Sequence, residues 1–571
     1  MAGITYKIQK NELLGRYMVA NKDLKQGELI LKESPAILGP HLNGPARCFR
    51  CLQVINLMMC SFCDECNTAL LCVNHCKGKY HPEEECLTLK TQKIKGQLLA
   101  ENPAAILPLK CLLLGIYNPD LFSDIMDMEA HMEKRRDTAI WRRHRISVED
   151  VLKDTNLLSD KDIKEELVQK VCGILDVNTF ELRLPRGGPE LLGQVRPPPS
   201  EQFSYTPNPV QSRLRALYPL AALMAHDCTQ NTHVSVDDNF VMSIYASVDI
   251  GEGEPILNNY ANVLDGNQER HQHLLEGKYF ICKCKRCIDP SEFGTEISSL
   301  VCHKCRKGFL RYTEIEDGFK IWKCSDCNLC FKDFLINLAI EEGRNRINDM
   351  DLTDIRGLED LYRRLLLTFH PNHFLLLELK QIMVGLYSKL PPTKNNLNRK
   401  IDLCGRLMSV FGRIEPGISR IKALTMYELH TALVDIANKR YRDNELNDHE
   451  LLKELETAER ILKESIKFLL YEPPKSPEGR LAQDAMGELK MLRNSIKNIQ
   501  QNVLIDAERK AVGDKKAEIT KRLKDKLEKG KVEKNNSALI KEQPEKIIPT
   551  IDGQEKHQPK KKKNKNKNKQ K

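Results

Sequence analysis

No run of the roughly 18 apolar residues that a membrane span needs occurs in this 571-residue chain, so no span is expected. The opening residues, MAGITYKIQKNELLGRY, lack a basic stretch followed by a long apolar run, so no secretory leader is expected either. The body of the chain also lacks net charge. Of 89 Lys+Arg and 79 Asp+Glu, 20 and 9 fall from residue 513 onward, which leaves 69 against 70 in residues 1–512. A direct reader of nucleic acid needs a basic face on its folded part, and this balance implies none. The surplus sits at the end, where PKKKKNKNKNKQK holds eight lysines. Such a run repels itself and buries nothing, so residues 513–571 are expected to be a disordered Lys-rich tail. It suits a nuclear-import signal, or a weak, salt-sensitive contact with nucleic acid or an anionic surface. The chain is accordingly expected in nucleus and cytoplasm.

Cysteine is what the chain has in quantity, with 20 residues. A reducing compartment turns such a set toward metal rather than disulfides. Eight ligands crowd into residues 48–86: Cys48-x2-Cys51, Cys63-x2-Cys66, Cys72-x3-Cys76 and His81-x4-Cys86. A CxxC turn brings two thiolates to one ion, and two further ligands close each tetrahedron. Interleaving assigns Cys48, Cys51, Cys72 and Cys76 to one zinc, and Cys63, Cys66, His81 and Cys86 to another. Cys60 competes, because Cys60-x2-Cys63 is also a CxxC. Further on, Cys302-x2-Cys305 and Cys324-x2-Cys327 complete a ribbon-like site, whereas Cys282-x-Cys284-x2-Cys287 supplies three ligands and needs a fourth. Closed four-ligand sites hold structural zinc: the metal folds the segment and does no chemistry. Cys111, Cys172, Cys330 and Cys404 read as ordinary core or surface thiols, His271 and His273 as solvated, His303 as a spacer and Trp322 as packing for the ribbon site.

Between these clusters the pattern changes several times. TYKI, GRYMVA and ELILKESPAIL, with the turn Lys25-Gln26-Gly27, predict a small sheet. Apolar residues at three- and four-residue spacing predict helices from about 90 to 185, as in DIKEELVQKVCGIL. A Pro/Gly-rich stretch with Pro197-Pro198-Pro199 reads as an exposed loop. Strands return in HVSVDD, FVMSIYASVDI and PILNNY. From about 335 to 510, six amphipathic segments separated by Pro371, Pro391-Pro392, Pro416 and Pro473-Pro474 predict a helical array similar to tetratricopeptide repeats, without their strict 34-residue signature.

The order of the parts carries a resemblance. Leu14-Gly15-Arg16-Tyr17, the cysteine cluster, a helical insert, Asn178-Thr179-Phe180, Ala225-His226-Asp227-Cys228, GEGEPILNNY ending at Tyr260 and the three-cysteine cluster follow one another. Together they resemble a SET and MYND domain protein of the lysine methyltransferase family, most similar to the arthropod SmydA branch. The resemblance implies an α+β fold: a split SET β-fold interrupted by a MYND zinc finger and a helical insert, then post-SET zinc sites and a C-terminal helical domain. Its implied domains are 1–47 (first part of SET), 48–86 (MYND finger), 87–185 (helical insert), 186–212 (loop), 213–281 (second part of SET), 282–330 (post-SET and CxxC zinc sites), 331–512 (helical domain) and 513–571 (tail).

The resemblance further implies S-adenosylmethionine-dependent methylation of a lysine on a histone or other protein, in transcriptional regulation, by a monomeric chain. Tyr260 matches the family's SET tyrosine as the catalytic residue. Gly15, Arg16, Asn178 and His226 match its cofactor contacts. Cys228 matches the cysteine that joins Cys282, Cys284 and Cys287, which brings the total to about four structural zinc ions. The finger implies Pro-rich peptide partners. Three positions depart from the family pattern: Tyr17 replaces a second glycine, Ala225 replaces an asparagine that contacts the cofactor, and Lys278 stands where a channel tyrosine belongs. An alternative therefore follows, a catalytically weak or inactive scaffold or corepressor that binds partners through the finger and helical domain.

Overall fold

A computed structural model describes residues 4–12, 14–72, 76–92, 94–153, 155, 157, 161–183, 213–314 and 320–534. The Pro/Gly-rich loop lies outside the described residues, as does His75, a candidate substitute ligand between Cys72 and Cys76 in the sequence. The chain divides into two compact units, Met1–Gln501 and Asn502–Lys571.

The first strands follow the predicted runs: β1 (Tyr6–Asn11), β2 (Gly15–Ala20), β3 (Leu29–Glu33) and β4 (Ile37–Pro40). β1 and β2 form an antiparallel hairpin in which Asn11 pairs with Gly15. The Asn11 carboxamide accepts from the Leu14 backbone, and Gly15 takes φ +67°, a left-handed value that glycine adopts without strain. The zinc finger contributes β5 (Cys60–Phe62) and β6 (Leu70–Cys72), which pair with each other.

After the insert come β7 (Thr179–Arg183), β8 (Arg213–Leu217), β9 (Ala225–His226), β10 (Thr232–Val236), β11 (Met242–Ala246) and β12 (Leu257–Asn258). They assemble with the N-terminal strands into small sheets in the orders β10-β11-β3 and β4-β8-β7, plus the parallel pair β9-β12. The split halves thus share sheets across some 200 residues of intervening chain. Period-two patterning is clearest in β11, where Met242, Ile244 and Ala246 are buried and Ser243 and Tyr245 are not. The ribbon site closes the strand series with β13 (Leu300–Val301), β14 (Phe309–Glu314), β15 (Lys320–Cys324) and β16 (Cys330–Phe331).

The insert is helical, as its spacing predicts. Helix Ile106–Tyr117 is buried nearly all round and forms the floor of a core shared with the finger. Helix Lys161–Asn178 runs directly into β7, which fixes Asn178 at a helix–strand junction.

Seven described helices begin at Asp333, Ile355, Phe374, Lys394, Arg420, Asp448 and Pro477. The predicted prolines fall between them, and Thr393, Ser419 and Asn447 cap the helices that follow. This domain seats on the sheets at close approach. Gly417 has φ +70°, and a Cβ there would lie 1.7 Å from the Ser247 carbonyl oxygen. Around it His233 on β10 meets Glu472 at 3.0 Å, and Arg420 meets the same carboxylate at 2.7 Å.

One boundary differs from expectation. The last helix runs from Pro477 to Lys534, so residues 513–534 are helical and 535–571 lie outside the described residues. Mixed-sign charge at helical spacing, such as Glu518 with Arg522 at 2.7 Å, favours the helix where the overall lysine count suggested disorder.

Candidate functional site

Among the described residues, sixteen side chains converge into four groups of potential metal ligands: Cys48, Cys51, Cys72, Cys76; Cys63, Cys66, His81, Cys86; Cys228, Cys282, Cys284, Cys287; and Cys302, Cys305, Cys324, Cys327. Within each group all ligand atoms lie within 4.8 Å of one another. A tetrahedron built on Zn–S bonds of about 2.3 Å has edges of about 3.8 Å. The Sγ pairs Cys48–Cys76 at 3.5 Å, Cys51–Cys72 at 3.9 Å, Cys63–Cys86 at 3.7 Å, Cys228–Cys282 at 3.9 Å and Cys302–Cys327 at 3.7 Å match that edge. Both donor chemistry and spacing therefore fit zinc. Cys60 is outside every group: it pairs with Cys72 across β5 and β6, and its thiol donates to the Leu57 carbonyl instead. His303 packs on Phe331 rather than ligating, and buried Trp322 donates its indole N–H to Asp333 at 2.8 Å.

Residues that spacing alone did not flag complete two of these sites. His81 presents Nε2 to Cys66, while its Nδ1 meets the Glu85 carboxylate at 2.8 Å. Glu85 is in turn held by the buried Lys110 ammonium at 2.8 Å. A carboxylate behind a ligating imidazole fixes its tautomer and raises its basicity. Glu85 lies four residues after His81, in the first turn of helix Glu83–Thr91, whereas Lys110 comes from a separate helix, Ile106–Tyr117, that no local spacing indicates. At the third site Arg270 donates to Cys228 Sγ at 3.3 Å and to Cys287 Sγ at 3.4 Å. Arg270 and Arg286 share the Glu292 carboxylate at 2.7 and 2.9 Å, all three side chains being buried. Four thiolates around one Zn²⁺ carry two surplus negative charges, and the two arginines with Glu292, net +1, offset one of them. His271 corrects the expectation of a solvated residue: it is half-buried, and its Nε2 lies 3.0 Å from the Cys282 carbonyl. His273 is exposed but reaches the Tyr260 carbonyl at 3.2 Å.

The other expected site residues meet at one cavity of about 2070 Å³, whose walls include Gly15, Arg16, Asn178, Ala225, His226 and Tyr260. Arg16 donates to the Asp127 carbonyl at 2.9 Å, which ties β2 to the insert. Tyr17 has no left-handed φ, so the missing second glycine costs no backbone strain. Asn178 spends its amide hydrogens on the Glu129 and Ile174 carbonyls at 2.9 and 2.8 Å. That leaves its carbonyl oxygen as the side-chain group open to a ligand. The Tyr260 backbone N–H donates to His226 Nδ1 at 3.0 Å, so the imidazole hydrogen sits on Nε2, 3.4 Å from Cys228 Sγ. The His226 ring is thereby committed to positioning, and its backbone is what remains for a cofactor.

Tyr260 follows β12, and its hydroxyl donates to the Met224 carbonyl. Burial pushes the phenol up, so it stays protonated. Beside it Asn259, which spacing did not flag, has a buried Nδ2 without a hydrogen-bond partner on the cavity wall. An orphaned donor on the wall of the cavity that Gly15 also lines fits a polar ligand such as the amino-acid end of S-adenosylmethionine. Ala225 offers that ligand no side-chain hydrogen bond. Lys278, which stands where the family pattern has a channel tyrosine, ends helix Asn267–Lys278, and Tyr279 takes φ +62° at the helix terminus.

A family model described as the SET domain matches residues 15–261. SET domain-containing protein SmydA-8, isoform A, of Drosophila melanogaster is 25% identical over 373 residues, 61% of this chain and 71% of its own length. A SET and MYND domain-containing protein of Dictyostelium discoideum is 23% identical over 399 residues, 56% of this chain and 94% of its own length. N-lysine methyltransferase SMYD2-A of Danio rerio is 34% identical over 77 residues, 14% of this chain and 18% of its own length.

Proposed function

Because the chain belongs to the SET and MYND domain-containing family, SmydA type, we propose that it transfers methyl groups from S-adenosylmethionine to a lysine of another protein. One observation carries this reading: Gly15, Asn178, His226, Asn259 and Tyr260, drawn from both halves of the split domain, line a single cavity. When bound, S-adenosylmethionine supplies a sulfonium methyl as the electrophile. Gly15, Asn178, Asn259 and the His226 backbone would hold it.

Tyr260 gives its hydrogen to Met224, so its oxygen keeps lone pairs for the N–H of an incoming amine. The phenol orients the amine rather than taking its proton, and positioning of this kind supplies most of the rate in a transfer without covalent intermediates. A histone or another nuclear or cytoplasmic protein fits as substrate, in transcriptional regulation.

Calorimetric titration of S-adenosylmethionine, followed by methyl transfer onto a panel of lysine-containing proteins, tests the reading. Tyr260→Phe should keep the binding and lose the transfer; equal transfer by both proteins would overturn Tyr260's role.

A scaffold reading is favoured by a separate feature of the finger, where Met58 and Met59 are 92% and 62% exposed. Such flexible apolar side chains suit a Pro-rich peptide. Partner capture by the Tyr260→Phe protein, abolished by Met58→Lys, would support it.

A further inference from the structure

The left-handed turn at Tyr279 directs the Lys278 side chain into the molecule. Its Nζ lies 5.5 Å from the centre of the Tyr260 ring and donates to the Val177 carbonyl, the penultimate residue of helix Lys161–Asn178. Lys278, Val177, Tyr260, Ala225 and Gly15 all line the same cavity. No carboxylate pairs with this amine among the described residues. Asp176 is spent on Arg135 and Arg215 at 3.1 Å each, and Glu181 lies 3.1 Å from His41. The charged groups that bear on Lys278 are Arg215, which opposes its charge, and Asp176 and Glu181, which favour it at longer range.

Burial outweighs these and pulls Lys278 down to about 8. At pH 8 about half of its molecules then carry a neutral, nucleophilic amine, against less than about 1% for an unperturbed lysine. Next to the Tyr260 ring, a neutral lysine amine is what a methyl-transfer site receives from a substrate.

We propose that Lys278 is itself a methyl acceptor, modified in cis by the chain's own SET domain. The proposal rests on reading the cavity as a methyl-transfer site. In the step, the Nζ lone pair forms a bond to the sulfonium methyl of S-adenosylmethionine. The carbon–sulfur bond breaks with its electron pair going to sulfur, S-adenosylhomocysteine departs, and the methylammonium releases a proton to water. The Val177 carbonyl accepts one Nζ hydrogen and thereby anchors the amine of a residue that lines the cavity.

The test uses the full zinc-loaded chain incubated with S-adenosylmethionine at pH 8, with intact-mass and peptide-mapping readouts. The expected result is a gain of one to three methyl groups, mapped to Lys278, at a rate per chain that stays constant over a tenfold range of protein concentration. Lys278→Arg should lose that modification while retaining the cofactor. An unmodified Lys278 overturns the proposal, and so does a rate that rises with protein concentration. Equilibrium dialysis of labelled cofactor in the same samples separates two failures. Retained cofactor with an unmodified Lys278 overturns this proposal alone, and no retained cofactor overturns the reading of the cavity with it. Competitive trace labelling of amines, done without cofactor, gives a readout independent of turnover. Lys278 should label with a midpoint near pH 8, and a midpoint with the surface lysines would overturn it.

Discussion

Glu472 is the place to strike at the seam between the sheets and the helical domain. Its carboxylate is 3% exposed and lies between His233 at 3.0 Å and Arg420 at 2.7 Å. Burial alone would raise it, but Arg420 and His233 outweigh burial and hold it at about 2, against an ordinary 4.5. A drop of some 2.5 units at about 1.4 kcal/mol each corresponds to about 3–4 kcal/mol of folded-state stabilisation. Because the folded value is depressed, that stabilisation is complete above pH 4.5 and is lost as the pH falls toward 2. Glu472→Gln removes the charge but keeps a hydrogen-bonding shape. It leaves His233 facing a neutral amide, while Arg420, 27% exposed, can rehydrate.

The expected outcome is a variant about 2–3 kcal/mol less stable at pH 7, with the gap closing steadily between pH 4.5 and 2. Equilibrium urea unfolding of both zinc-loaded proteins across that range measures it. Acid release of zinc affects both proteins alike and cancels in the difference. A gap that is constant with pH, or one below about 0.5 kcal/mol at pH 7, would refute the reasoning.

Other expectations follow from the metal sites and the cavity. Glu85→Gln should speed loss of zinc from the second finger site to a chromogenic chelator by about 10–100-fold, because the His81 imidazole loses its carboxylate; an unchanged rate would remove Glu85 from the site. Cys60→Ser should leave four zinc ions per chain by elemental analysis, since Cys60 donates to Leu57 and joins no group; a loss of one equivalent would put it back among the ligands. Ala225→Asn should tighten S-adenosylmethionine binding by about 0.5–1.5 kcal/mol, or roughly 2–12-fold, if the new carboxamide reaches the ligand. Calorimetry on both proteins decides this, and identical affinities would mean the cofactor avoids β9.

How much of this was legible in the sequence depends on the distance over which each feature is encoded. The zinc ligands of the finger and ribbon were readable because a CxxC turn brings two thiolates to one ion within four residues. The helices from Asp333 onward were readable from apolar spacing and the prolines between them. The site residues were found through the order of motifs rather than through any one of them, since a lone tyrosine after a short strand says little. Sequence composition misplaced the start of the tail, because lysine content argues for disorder whereas alternating charge at i, i+4 sustains the helix to Lys534.

What the sequence by itself determined is therefore local: the metal chemistry, the turn at Gly15, the helical half and a tyrosine in the right order of motifs. The tertiary structure decided what those parts touch. It brought Cys228 to a cluster 54 residues away and set two buried arginines and Glu292 behind it. It also stacked Lys278 over Tyr260 and left the Asn259 amide without a partner on the cavity wall. Chain spacing can impose contacts only within a turn or two. Contacts such as these form when the two halves of the split domain share sheets, and burial then fixes which charges and hydrogen bonds go unmatched.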